Sequence, residues 1–237
     1  MERGTLYMIP CPISDETTPW EVLPEKNRAV MQSLDYFIVE NTRTARRFLS
    51  KAALGLKIDT LEFVELNEHT TRSEEVEAMI RPLLEGRSAG VISEAGVPGV
   101  ADPGALVVEA AHRHGIRVVP LVGPSSIILA VMASGLNGQS FAFNGYLPIK
   151  GPERPKAIRF YEQRAHREGQ SQLFIEAPYR NQKLAEELLQ TLQADTHLTI
   201  AMDLTAPTEF IATRRVAEWR KTKLPELQRR PAIWIIG

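Results

Sequence analysis

The stretch VISEAGVPGVADPG, residues 91–104, joins two apolar residues to a loop that contains three glycines, two prolines and two acids. Val91 and Ile92 are typical of the end of a buried strand. Gly96 and Gly99 let backbone groups approach a ligand without a side chain in between. In open α/β sheets, ligands bind beyond the carboxyl ends of the strands. The stretch therefore predicts either a simple turn or a small-molecule site at the end of a strand.

The sequence around this loop alternates between short apolar runs and helical patterns. Such alternation predicts parallel strands with crossovers and helices on both faces of a sheet. The predicted strands are 5–10, 35–40, 61–66, 89–93 and 116–121, and the predicted helices are 24–33, 42–53, 73–85 and 105–114.

The second half of the chain has a different pattern. After an apolar helix at 125–134, strands follow with little helix between them, which predicts a mixed, partly antiparallel sheet. The segment KGPERPKA, 150–157, predicts an exposed loop. The predicted elements are strands 141–146, 172–176, 198–204 and 232–236, a helix 181–193 and a further element at 213–221. The fold class is thus α/β, with a parallel-sheet domain at 1–122 and a mixed-sheet domain at 123–237.

Composition excludes several classes of protein. The 237 residues carry 28 Lys and Arg against 29 Asp and Glu, so the net charge is -1. This balance argues against broad electrostatic capture of nucleic acid, but it leaves room for a local basic patch. The single cysteine, Cys11, permits no disulfide within the chain and fits a reducing cytoplasm. The N-terminus has no secretory pattern, and no apolar run approaches the roughly 20 residues that span a bilayer, so we expect a cytoplasmic protein without a membrane partner.

Common catalytic and cofactor motifs are missing from the sequence. The first strand is followed by PCPISDE rather than GxGxxG, and neither GxxxxGK[ST] nor GxSxG occurs. No zinc-type spacing is present, so we predict no metal site and solvated positions for the histidines. These are His69, His112, His114, His166 and His197.

Five segments rich in Pro, Gly, Ser and acid fall at successive strand ends, and together they favour a shared small-molecule site over five ordinary turns. Ser125 and Ser126 stand where a helix begins, so their hydroxyls and free amides suit a carboxylate. The segments are 10–12, 40–43, 93–96, 123–126 and 176–179.

Seven stretches in family order resemble one enzyme family along nearly the whole chain. They are GTLYMIPCPI (4–13), ENTRTARRFL (40–49), SEAGVPGVADPG (93–104), GIRVVPLVGPSS (115–126), SGLNGQSFAFNGYLP (134–148), FIEAPYRNQKLAEELL (174–189) and AMDLTAPTEFIATRRVAEW (201–219). The chain resembles the tetrapyrrole-methylase (class III) S-adenosylmethionine-dependent methyltransferases. Within them it is most similar to the RsmI-like branch, which methylates a cytidine ribose 2′-hydroxyl of small-subunit ribosomal RNA.

The resemblance implies two α/β domains with S-adenosylmethionine in the cleft between them, and a homodimer. It also implies that the loop after residue 93 touches the methionine part and ribose of the cofactor. Ser125 and Ser126 would approach the methionyl end, and Ala177 and Leu204 would frame the adenine. The cofactor-binding residues carried over are Pro10, Glu94, Ala95, Gly96, Val97, Ser125, Ser126, Ala177 and Leu204.

A ribose hydroxyl needs a proton acceptor, and Glu40, at a strand end, is the candidate. Glu40 and the neighbouring Arg43 are the two predicted catalytic residues. The alternative for Glu40 is a surface cap or a salt bridge to Arg43. Four cations form one helix face that would bind RNA phosphate or remain solvated, and Arg180 is a second candidate for an anion contact. The four are Arg43, Arg46, Arg47 and Lys51.

The chain departs from the RsmI-like pattern near the acceptor. The first loop reads CPISDETTPWEVLP instead of a Gly-Asn-Leu sequence, Glu94 replaces an aspartate, and Tyr179 replaces a histidine. Three hypotheses remain: an RNA ribose methyltransferase or a divergent paralog of one, a methyltransferase for a small molecule such as a tetrapyrrole, and a non-catalytic S-adenosylmethionine-binding protein. Cys11 is expected to be a small packing residue.

Overall fold

The computed structural model describes residues 2–67, 70, 72–149 and 151–237. The chain divides into two compact units, Met1–Ser125 and Ser126–Gly237, called unit 1 and unit 2 below. The sequence placed the division at 122/123, three residues earlier. Within the described ranges, no helix is both long enough and apolar enough to cross a membrane.

Unit 1 contains a five-stranded sheet in which every pair of neighbouring strands is parallel. The strand order is β3-β2-β4-β1-β5. Strands β2 and β4 are buried at every residue, which explains why they read as continuous apolar runs rather than alternating ones. The strands are β1 (Thr5–Ile9), β2 (Tyr36–Val39), β3 (Glu62–Glu65), β4 (Ala89–Ile92) and β5 (Arg117–Pro120).

Helices cover both faces of this sheet, as the alternating pattern predicted. One apolar core includes Met79 and Val107, and the other includes Met31 and Phe48, which come from different pairs of helices. The helices are α1 (Pro19–Val22), α2 (Lys26–Gln32), α3 (Thr42–Lys51), α4 (Ser73–Leu84) and α5 (Gly104–Arg113). The Asn41 side chain caps α3 by accepting the N–H groups of Arg43 and Thr44.

Unit 2 contains a mixed five-stranded sheet in the order β6-β7-β10-β8-β9. Only β6 and β7 run parallel, and the other neighbours are antiparallel, so the predicted mixed sheet is confirmed. The element expected at 213–221 is the end of β9 followed by α9. The elements are α6 (Ser126–Ser134), β6 (Phe141–Tyr146), α7 (Glu153–Glu168), β7 (Ser171–Ile175), α8 (Asn181–Thr191), β8 (His197–Met202), β9 (Phe210–Arg215), α9 (Val216–Trp219) and β10 (Ala232–Ile236).

The loop predicted at 150–157 is wrong from Glu153 onward, because α7 begins there and runs for 16 residues. Residue 150 itself lies outside the described residues. Proline favoured the loop prediction, yet Pro155 is the third residue of α7, where a backbone N–H has no partner within the helix and its loss costs little. The helix ends before Gly169, whose φ of 61° suits a left-handed cap.

Candidate functional site

Glu40 and the glycine-rich loop meet at the carboxyl edge of the parallel sheet. Glu40 follows β2 and Ser93 follows β4, and these strands are neighbours. The backbone N–H of Glu94 donates to Oε2 of Glu40 at 3.2 Å. The N–H of Glu40 donates in turn to the carbonyl of Ile92 at 3.2 Å. Two of the loops predicted to share a site are therefore joined directly.

The loop after β1 reaches the same edge through Cys11. The N–H of Cys11 donates to the Gly96 carbonyl at 2.8 Å, and its Sγ donates to the Ser93 carbonyl at 3.1 Å. Pro10 packs against Gly123 so closely that a Cβ on that glycine would lie 2.3 Å from the proline Cγ. Four of the five predicted loops thus assemble at one edge of unit 1.

Cys11 is a packing residue rather than a reactive thiol. Its side chain is buried, and burial raises the pKa of the thiol to about 12. A thiol with such a pKa stays protonated near neutral pH, so it is a poor nucleophile and a poor metal ligand.

The glycine-rich loop has a fixed, unusual backbone. Gly96 and Gly99 have φ values of 70° and 82°, and Ala101 also lies in the left-handed region at 60°. Asp102 holds this shape, because its carboxylate accepts the N–H of Gly99 at 2.9 Å and that of Gly104 at 2.7 Å. The loop therefore presents its backbone in one conformation.

Replacing Asp102 by alanine is expected to lower the free energy of unfolding by about 1–3 kcal/mol, because two backbone donors lose their acceptor. Urea denaturation of the full chain measures this loss. Asp59→Ala is the matched control, because Asp59 is almost fully exposed and pairs with Arg46 at the surface. An equal loss of stability in both variants would contradict the role of Asp102 in holding the backbone of the loop.

An open pocket of about 470 Å³ lies at this edge of unit 1. We call it the acidic pocket, since three of its side chains are carboxylates. It is lined by Glu40, Asn41, Glu65, Asn67, Glu94, Ala101 and Pro103. Its charge favours a ligand that carries positive groups.

The carboxyl groups of the acidic pocket differ in proton affinity. Burial raises the pKa of Glu40, and the charges of Glu94 and Asp102 raise it further, while the Glu94 N–H works in the other direction. The pKa of Glu65 is lowered, because that carboxylate accepts the backbone N–H of Thr42 at 2.9 Å and also the Thr42 hydroxyl. A carboxylate with a raised pKa is the better proton acceptor of the two.

The basic face of α3 is largely occupied by acids of unit 1. The Arg47 guanidinium contacts both Asp15 oxygens at 2.8 Å, and Lys51 Nζ donates to the Asp15 carbonyl at 2.9 Å. Arg46 pairs with Asp59. Arg43 is exposed and, within the described part of the chain, forms no ion pair, with Glu40 or any other acid.

Three of the cofactor positions implied by the resemblance lie in unit 2. Ser126 is the half-buried first residue of α6. Ala177 follows β7, and its N–H donates to Oε1 of Glu176 at 2.8 Å. The Leu204 side chain is buried in the core beside Ile233, so only its backbone is available to a ligand.

The turn around Leu204 has a feature that sequence reasoning missed. Asp203 and Thr205 both have positive φ, at 50° and 70°, although neither is glycine. Asp203 is held by Arg230 at 2.6 Å and by the Thr208 hydroxyl at 2.8 Å. Non-glycine residues in this region concentrate at ligand sites, which supports the turn as a binding segment.

A buried ion network, also missed from the sequence, supports the loop that carries Ala177. Arg154 and Glu176 are both 1% exposed and form an ion pair. Arg154 also reaches Glu187 at 2.9 Å, and Arg180 donates to Glu176 at 2.8 Å. Arg180, predicted as an anion contact, is thus engaged by Glu176.

Comparison with known proteins identifies the class. Residues 6–219 match the family of tetrapyrrole (corrin/porphyrin) methylases. The chain belongs to this family and is a methyltransferase, as the resemblance implied.

Two relatives carry the name ribosomal RNA small subunit methyltransferase I. The one from Vibrio cholerae is 30% identical over 90% of this chain and 69% of its own length. The one from Escherichia coli O157:H7 is 29% identical over 91% of this chain and 71% of its own length.

Solved structures confirm the α/β fold. A native uroporphyrin III C-methyl transferase from Thermus thermophilus has a TM-score of 0.60 at 20% identity, covering 99% of this chain and 97% of the other. A Thermus thermophilus uroporphyrin-III C-methyl transferase complexed with S-adenyl homocysteine has a TM-score of 0.56 at 19% identity, with the same coverage. At these identities the likeness concerns the fold alone.

Proposed function

We propose that this chain transfers the methyl group of S-adenosylmethionine to a ribose 2′-hydroxyl of small-subunit ribosomal RNA, or of a related RNA. The observation that carries the proposal is Glu40, a carboxyl group with a raised pKa that stands in the acidic pocket and is bonded to the glycine-rich loop. The names of the curated relatives support the RNA acceptor, and the family supports the methyl donor.

The residues of unit 1 fit S-adenosylmethionine. Its ammonium and sulfonium groups are cationic, and the acidic pocket supplies exposed carboxylates, among them Glu94. The backbone from 94 to 97 is bonded to Glu40 through the Glu94 N–H and to Cys11 through the Gly96 carbonyl, and Gly96 has no Cβ to obstruct a ligand. Pro10 and Ser125 in unit 1, and Ser126, Ala177 and Leu204 in unit 2, remain predicted contacts. When bound, S-adenosylmethionine supplies an electrophilic methyl group on sulfur.

Glu40 would act on the acceptor as a general base. With S-adenosylmethionine bound, Glu40 would take the hydroxyl proton as the acceptor oxygen attacks the methyl group that the cofactor supplies, and the electron pair of the carbon–sulfur bond would stay on sulfur. Its raised pKa brings its proton affinity closer to neutral pH, where a general base is most effective. Arg43, exposed on the first turn of α3, would position an acceptor phosphate.

Two measurements test this proposal. The first is isothermal titration with S-adenosylmethionine, in which Glu94→Ala is expected to weaken binding about 10- to 100-fold, the loss typical of a hydrogen bond to a charged group. Glu25→Ala is the matched control, since Glu25 pairs with Arg28 on an exposed surface of unit 1. The second is tritiated methyl transfer to small ribosomal subunits that lack the modification.

Together, the binding and methyl-transfer results distinguish the three hypotheses. Labelled ribosomal RNA supports the proposal. Labelled tetrapyrrole with unlabelled RNA would support the small-molecule alternative, and saturable cofactor binding without any acceptor would support the non-catalytic one. No binding at millimolar S-adenosylmethionine would contradict all three. Homodimerisation and a cytoplasmic location remain predictions, and sedimentation equilibrium measures the first.

A further inference from the structure

A second open groove lies in unit 2, and its lining includes none of the positions that the resemblance assigns to the cofactor. It has a volume of about 670 Å³ and follows one face of α7. We call it the α7 groove. Its lining includes Lys156, Arg159, Phe160, Gln163, Arg167 and Gln193.

The charge of the α7 groove is positive in a chain whose net charge is -1. Arg159 and Arg167 are exposed and form no ion pair with any residue that the structure describes. By contrast, Arg164 on the same helix pairs with Glu168 at 3.1 Å. The one carboxylate lining the groove, Glu162, is buried and accepts the Gln193 N–H and the Thr196 hydroxyl. The groove thus offers two arginines that the described part of the fold does not pair, whereas Lys156 is paired with Glu153 at 2.9 Å.

An exposed aromatic ring stands between these cations. Phe160 is 55% exposed, which is unusual for a side chain of this size. Its ring contacts Tyr161 at 5.2 Å between centroids, and Tyr161 contacts the buried Phe174 at 5.0 Å. The Phe160 ring therefore packs against Tyr161, and the rest of its surface is exposed to solvent.

Helix geometry aligns these side chains along one stripe. Lys156, Phe160, Gln163 and Arg167 follow one another at intervals of three or four residues, so they lie on the same face. From the first to the last the stripe is about 16 Å long, at about 1.5 Å per residue. Cations that alternate with an aromatic ring and amide groups are the pattern that binds single-stranded nucleic acid, with phosphates on the cations and a base on the ring.

We propose that the α7 groove is a docking site for a single-stranded segment of RNA, distinct from the acidic pocket. The inference rests on the proposed function, because it assumes that the acceptor is RNA. Contacts in the groove would be to phosphates and base faces, so they would add affinity with little dependence on sequence.

Fluorescence anisotropy of a short labelled single-stranded RNA of mixed sequence, added to the full chain, tests the site. Arg159→Ala/Arg167→Ala is expected to reduce the slope of log affinity against log salt by about 1.4, since each phosphate contact on a single strand contributes about 0.7. Phe160→Ala is expected to weaken binding about five-fold or more through lost stacking. Arg164→Ala, compared with Arg159→Ala alone, is the matched control and should bind as wild type.

Failure of this inference and failure of the proposed function give different results. Unchanged RNA affinity in the double variant and in Phe160→Ala, with methyl transfer to ribosomal RNA intact, overturns the groove alone. RNA binding that depends on the groove, without any transfer to RNA, overturns the proposed reaction and leaves the docking site. A groove that binds an acidic peptide as tightly as RNA also overturns the inference. Arg159, Phe160 and Arg167 are exposed, so the variants should fold, and circular dichroism checks this.

Discussion

Replacing Glu40 by glutamine is expected to lower kcat for methyl transfer about 100- to 10,000-fold, the usual contribution of a general base. The amide oxygen still accepts the Glu94 N–H, so the glycine-rich loop keeps its position. The amide cannot take a proton, so the chemical step is lost. Single-turnover transfer to RNA measures the rate, and isothermal titration is expected to show a smaller loss of affinity for S-adenosylmethionine than in Glu94→Ala, because the exposed carboxylate of Glu94 remains.

The same substitution is expected to stabilise the fold. Burial raises the pKa of Glu40 in the folded state above its ordinary value of 4.5. The free energy of unfolding therefore falls as the pH rises from the pKa of Glu40 in the unfolded state to its higher pKa in the folded state. Below pH 4.5 the carboxyl is protonated in both states, and this loss of stability is absent. Glutamine carries no charge, so the variant should be more stable than wild type at neutral pH, and the difference should vanish in acid. Thermal melts at several pH values measure it.

Glu109→Gln is the control for both effects. Glu109 lies on α5 and pairs with Arg113 at 3.0 Å on an exposed surface. It should leave kcat unchanged and should not reproduce the stabilisation at neutral pH. A Glu40→Gln enzyme with nearly normal kcat would show that the ribose proton leaves by another route. A loss of stability at neutral pH would show that the ionised Glu40 carboxylate does not destabilise the folded state.

The sequence predicted unit 1 well because its strands are buried on both faces. Strands such as β2 and β4 are continuous apolar runs, and parallel strands place their carboxyl ends at one edge. That rule places Glu40 and the loop at 93–104 at the same edge of the sheet, without any knowledge of side-chain packing. The strand order, which the sequence did not predict, makes β2 and β4 neighbours, and the Glu94 N–H then reaches the Glu40 carboxylate.

Pairings between distant residues were beyond the reach of local patterns. The basic face of α3 was predicted from helical spacing, but its partners come from elsewhere in the chain: Asp15 from a loop and Asp59 from a short 3-10 helix. The same limit explains the missed α7, since KGPERPKA contains two prolines and four charged residues. Nothing in those eight residues indicates that Arg154 is buried, because its partners Glu176 and Glu187 follow 22 and 33 residues later.

Replacing Arg154 by methionine is expected to lower the free energy of unfolding of unit 2 by about 3–5 kcal/mol, the cost of removing one partner of a buried ion pair. Glu176 would keep its bond to Arg180 but lose its fully buried partner Arg154, and the carbonyl of Pro148 would lose a donor. Urea denaturation followed by tryptophan fluorescence measures the loss, because Trp219 and Trp234 are both buried in unit 2.

The pH dependence of this loss identifies its cause. Burial alone would raise the pKa of Glu176, but the hydrogen bond from Arg180, the Ala177 N–H and the charges of Arg154 and Arg180 together lower it. A lowered pKa contributes stability above the unfolded value near 4.5, and this contribution is lost as the pH falls through the folded pKa. The difference between wild type and Arg154→Met should therefore be largest at neutral pH and should shrink in acid.

Two further variants separate charge from volume. Adding Glu176→Gln to Arg154→Met should recover part of the stability, since the buried carboxylate that lost Arg154 is then gone. Arg164→Met removes an exposed pair on the same helix and should cost about 0.3–0.5 kcal/mol. A loss in Arg154→Met that is independent of pH and not relieved by Glu176→Gln would mean that Arg154 acts by filling space. In that case Ala177 would keep its position through packing rather than through the charge of Glu176.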